Sequence, residues 1–194
     1  MDLSGFSLAW FDLVAVALIF VGIFHGRKNG MSQELFNTMK WLAMLTISAL
    51  IYLPIGKLIL RFIPIDPMYG YVGAYILSNV ALKAIFVTVR KKVKDKMSDS
   101  DVFGRAEFPL GMVAGAFQYA CMLVIFMAVM NAKYVDEDAL KRQDARQKKA
   151  LGENFFPSTG NIHRDILYGS ITGLTVRSFF ANQLIRPLNA PKKK

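Results

Sequence analysis

The chain has one cysteine, two histidines and two tryptophans among 194 residues. A single thiol, Cys121, excludes an intramolecular disulfide framework. It lies in an apolar run, where cysteine behaves as a small buried hydrophobe. His25 and His163 are far apart and unclustered, so no metal site is expected. No Gly-x-Ser-x-Gly element is present and no nucleophile–base set can be assembled, which argues against an enzyme. The stretch GRKNGM lacks the strand–turn–helix setting of a phosphate-cradling loop. No cofactor is expected. The N-terminus has no basic segment, and Asp2 is its only charge before the first apolar run, which should therefore stay as an anchor. Acids are scarce too, 14 against 24 Lys and Arg, for a formal charge of +10. The bases cluster beside apolar runs and at the C-terminus, where spans meet anionic headgroups. With no finger spacing or aromatic-interleaved basic sheet, nucleic acid is not an expected partner.

What is abundant is apolar: 54% of the residues, with 15 Phe and 10 Met. Four runs reach span length. Leu8 to Phe24 carries only Asp12, with Trp10 and Phe11 placed as an aromatic belt. Leu35 to Leu53 carries Lys40 near its start and is ended by Pro54. Residues 55 to 69 are too short and too proline-rich to cross, and Lys57 and Arg61 suggest a short interfacial helix there. Gly70 to Val89 holds Asn79 and Lys83, with a Gly70, Ala74, Ser78 seam. Leu110 to Met130 is the fourth. The expected fold is an all-α membrane protein, four transmembrane helices over 8–131 followed by a C-terminal extramembrane helical tail. In that tail, 136–151 reads as a solvated helix with acids first and bases last. Residues 152–161 read as a turn-rich linker, and 162–185 as a surface-lying or protein-packed helix. Pro191 and the lysines after it read as a disordered end.

Basic residues set the orientation. Arg27 and Lys28 in the 25–34 corner and the basic residues of the 90–109 loop fall on one side of a four-span arrangement, while the opposite side offers Lys57 and Arg61. The basic loops are therefore expected in the cytoplasm and the C-terminus outside.

Gly22, Gly26, Gly30 and Glu34 recur every four residues, the one-face repeat of a helix, so the glycines form a groove for close backbone approach. Gly111 and Gly115 make a second such pair. Glu34 is expected to pair with Arg27, Lys28 or Lys40 and hold the corner. Asp12, Asn79, Lys83 and Gln118 are candidate intramembrane polar groups, since an ionisable side chain among apolar spans is by default a functional candidate. Helical rise puts Lys83 and Gln118 at similar depth, where they either face each other or serve local roles. Asp12 reads as an interface residue near Trp10.

Trp10-Phe11-Asp12, Gly30 four before Glu34, Trp41 seven after it, and Asp101 followed by Gly111 and Gly115 together resemble the CvpA (colicin V production protein) family. The resemblance covers about residues 8 to 131. It implies four transmembrane helices in the bacterial inner membrane and a non-enzymatic role in toxin production or export, or in envelope homeostasis. The chain departs from the family pattern at Asn29, where an arginine is usual, and at Gln118 and Tyr119, where Arg and Gly often follow the second glycine. The other reading, from the polar residues alone, is an oligomeric transport or channel subunit whose path Asp12, Lys83 and Gln118 would line. Expected partners are anionic lipid headgroups and either a second copy or a membrane or secretion component.

Overall fold

The computed structural model describes residues 10–97, 103–132 and 159–186. Asp101 and the expected solvated helix at 136–151, linker over 152–158 and C-terminal end lie outside them. Every regular element among the described residues is helical: α1 (Trp10–Phe62), α2 (Pro67–Met97), α3 (Glu107–Asn131), α4 (Thr159–Arg164) and α5 (Ile171–Phe179). A single turn over Gly104–Ala106 leads into α3, and a wide turn over Asp165–Gly169 joins α4 to α5.

α1 is helical on both sides of one break. Gly30 has φ 75° and ψ 167°, outside helical space, in a region open essentially to glycine alone. Around it the chain folds back, as contacts with α3 demonstrate. Gly22 lies against Gly115, and Glu34 bonds Gln118. Twelve residues of straight helix would separate Gly22 and Glu34 by about 18 Å, yet their partners are three residues apart, about 4.5 Å along α3. Two arms, 10–29 and 31–62, therefore flank α3.

Among the described residues three helices, against four runs expected, are long and apolar enough to cross a membrane: Trp10–Phe62, the Pro67–Lys92 part of α2, and Gly104–Asn131. The first two runs have become a single broken helix. Pro54, expected as a terminator, lies inside it, and helix continues to Phe62, so residues 55–62 form no separate interfacial helix. Proline removes one N–H bond and kinks a helix; an exposed position leaves its ring room, and Gly56 and Tyr71 pack just beyond it.

α2 runs antiparallel to the second arm, with Tyr71 against Gly56, Tyr75 against Tyr52 at 6.1 Å between rings, and Phe86 against Phe36 at 5.6 Å. It packs on α1 and makes at most marginal contact with α3. The core mixes small, aromatic and aliphatic groups, among them Ala15, Leu45, Ala74, Tyr75, Cys121 and Met127. Many other large apolar side chains point outward, Leu13 at 72%, Leu50 at 75% and Val113 at 67% exposure. Such a surface is compatible with lipid as its solvent.

Residues 159–186 pack onto the bundle. Ile166, Leu167, Val176, Leu184 and Ile185 join the same core. Phe11, placed by sequence in an aromatic belt, is also core at 3% exposure, while Trp10 is half-exposed.

Candidate functional site

The first arm and α3 meet backbone to backbone. A methyl group at Gly26 would run into the Gly111 carbonyl, one at Gly111 into the Gly26 carbonyl, and one at Gly115 into the Gly22 carbonyl. At Gly22 it would stand 2.6 Å from the Gly115 oxygen and 2.8 Å from the Tyr119 ring. Only glycine permits this approach. Four-residue spacing keeps the three glycines in register on one face.

At the far end of the seam Gly30 makes the corner, which Glu107 closes. Its Oε1 accepts the Ser32 backbone N–H at 2.8 Å and its Oε2 the Ser32 hydroxyl at 2.9 Å. A carboxylate here satisfies a free amide at the start of the second arm and complements its dipole. Glu107 was not among the residues singled out from sequence. Its place in the first turn of α3 was the available signal.

The seam brings Glu34 into the interior, where it is 0% exposed. The expected partners Arg27 and Lys28 are not its neighbours, because both face outward at an exposed depression shared with Phe24 and Phe108. Lys40 stands over the half-buried Trp41 ring at 5.5 Å instead. Glu34 is met by amides. Gln118 donates to Oε2, Asn29 to Oε1, and Asn37 to Oε2 at 3.4 Å. Asn37 in turn accepts from Arg90 of α2 at 3.2 Å. The His25 Nε2 lies 3.8 Å from Oε1, and Asn29 also donates to that nitrogen at 3.0 Å. Burying a carboxylate is tolerable only with such hydrogen bonds. Asn29 and Gln118 both serve Glu34.

Asp12 anchors the C-terminal segment. It is 3% exposed, enclosed by protein on every side. Its Oδ1 accepts the Thr172 N–H and hydroxyl, each at 2.8 Å, and its Oδ2 the Ile171 N–H at 3.1 Å. Ser170 caps the same helix by accepting from the Gly173 N–H at 2.8 Å. Beside this clamp, Asn131 donates to the Ile185 carbonyl at 2.9 Å and His163 contacts the Met130 carbonyl at 2.7 Å.

The remaining candidates do not join these sites. Asn79 bonds the Tyr75 carbonyl one turn back, at 2.9 Å. Lys83 is exposed on α2 and does not face Gln118, since α2 and α3 scarcely touch. The structure thus unites Gly22, Gly26, Gly30, Gly111 and Gly115 with Glu34 and Gln118, and separates Asp12 and Lys83 from them.

No family model, curated protein or solved structure matches the chain.

Proposed function

We propose that this chain is a multi-pass protein of the bacterial inner membrane and a CvpA-like, non-enzymatic component of toxin production or export, or of envelope homeostasis. In this reading each arm of α1 crosses the bilayer separately, and with α2 and α3 the chain makes four crossings. The observation that carries the membrane placement is the glycine seam. Backbone contact between helices, with large apolar groups turned outward, is how helices associate in lipid, where packing rather than burial of apolar surface holds them together. The corner at Arg27 and Lys28 and the loop after Arg90 face the cytoplasm, and residues 159–186 sit at the opposite end, outside. Contacts of that segment with Asp12, Tyr52 and Asn131 support placing these three residues at one end of the bundle.

The functional test is genetic. Bacteria lacking the chain should release less of a colicin V-type toxin or lose resistance to envelope stress. Wild-type chain should restore the trait, and Gly26→Leu should not. A deletion without either phenotype contradicts the proposal.

The buried Glu34 network favours a second reading, an oligomeric transport or channel subunit. Asp12 and Lys83 stand apart from that network, so a path in this reading runs past Glu34 and Gln118. Flux through proteoliposomes should fall with Gln118→Leu and persist with Lys83→Leu. Flux insensitive to Gln118→Leu contradicts a path at this site.

A further inference from the structure

Glu34 is fully enclosed, while the imidazole 3.8 Å from its Oε1 is 53% exposed. The pair therefore spans the boundary between interior and surface. Among the described residues His25 is the ion-pair partner of Glu34, and the other contacts are neutral amides. Asn29 joins the two through one nitrogen, donating to both. The neutral ring accepts that hydrogen at Nε2. A ring protonated at Nε2 has no lone pair for Asn29 and directs its N–H at Glu34 instead.

Of the surrounding charges Lys40 favours the carboxylate, and the others are turned outward or engaged elsewhere. On the first arm Arg27 and Lys28 face outward. On the second, Lys40 acts on Glu34 through space and in turn feels Lys83 and Arg90 of α2. Arg90 reaches the network only through Asn37, and Glu107 of α3 is held by Ser32. One turn inward from Glu34, the buried Thr38 hydroxyl has no hydrogen-bond partner. It offers an acceptor to a protonated Glu34 or to a water beside it.

We propose that Glu34 is a proton-exchange site, loaded from loop-side water through His25. A proton from water binds Nε2. Once the ring swings into hydrogen-bond reach or one water bridges the 3.8 Å gap, the N–H bond breaks as an O–H bond forms at Oε1, converting imidazolium and carboxylate into neutral imidazole and neutral carboxylic acid. The inference rests on the membrane placement proposed above and deepens the transport reading, giving it the proton as its substrate.

The test is labelling of the full chain in phospholipid vesicles with dicyclohexylcarbodiimide, which adds to protonated carboxyls in apolar surroundings, followed by peptide mapping. Glu34 should be modified in preference to Asp12 and Glu107, whose oxygens are engaged by backbone amides. Modification should quicken as the medium is acidified, because the reagent adds to the protonated carboxyl. The conservative variant His25→Gln, at an exposed position, should keep its helix content, slow Glu34 modification by about 100-fold, the low end for a positioned acid–base group, and flatten the pH dependence. Absence of label at Glu34, or equal rates and pH profiles in wild type and His25→Gln, overturns the proposal while leaving the membrane placement intact. A chain that stays in the aqueous phase contradicts both.

Discussion

Gly26→Ala adds one methyl group at the tightest point of the bundle. It meets the carbonyl oxygen and carbon of Gly111 and, at 3.0 Å, the Cα of Gly115. All three are backbone atoms, so no side chain can turn aside and α3 must move bodily. Overpacking that flexible cores absorb costs about 1–3 kcal/mol, and a rigid backbone contact belongs at the upper end. Alanine regains about 1 kcal/mol of helix propensity over glycine. The expected net loss is about 2 kcal/mol, roughly a 30-fold fall in the folded-to-unfolded ratio. Gly73→Ala supplies the internal control. A methyl group there meets nothing within 4 Å, so only the propensity gain remains and the variant should be more stable by about 1 kcal/mol. Denaturant titration of helical content in detergent micelles measures both. Equal or greater stability of Gly26→Ala relative to Gly73→Ala would refute the backbone-contact argument.

Three further outcomes follow from single contacts. Asp12→Ala removes three hydrogen bonds to Ile171 and Thr172. It should loosen α5 by about 2 kcal/mol, read as faster amide exchange at those two positions with exchange in α2 unchanged. Gln118→Leu leaves a buried carboxylate oxygen short of a donor. It should cost about 1–3 kcal/mol in the same micelle titration, and Glu34→Gln in the same chain should recover part of that loss by removing the charge. Gly30→Ala forces a side chain into a backbone conformation reserved for glycine and against Glu107 at 2.5 Å. A cost of about 1–3 kcal/mol is expected, with the Ser32 amide losing protection from exchange.

The helical runs and the glycine register were legible because both are local periodicities. A four-residue repeat at Gly22, Gly26 and Gly30 needs no knowledge of the partner helix to predict a groove. What fills the groove lies 85 residues from Gly26 at Gly111, and a separation of 84 residues hid the amide of Gln118 from Glu34. Reasoning from neighbours therefore gave Glu34 the nearby cations Arg27 and Lys28, which the helix turns outward. Asp12 shows the effect most clearly. Its partners follow it by 159 and 160 residues, so sequence offered only an isolated acid near Trp10. Pro54 misled for another reason. A terminator rule drawn from helix interiors was applied where the ring faces outward and packing resumes at Gly56. The expected end of the second arm and the separate interfacial helix after it both followed from that one residue.

The central claim is that the two arms of α1 fold back at Gly30 within a lipid bilayer. Cysteine accessibility in intact cells tests it most directly, using a Cys121→Ala background and single cysteines at Lys28 and Ile65, either side of the second arm. A membrane-impermeant maleimide should label Ile65→Cys from outside and Lys28→Cys only after permeabilisation. Labelling of both from the same side, or recovery of the chain in the detergent-free soluble fraction, would contradict the account.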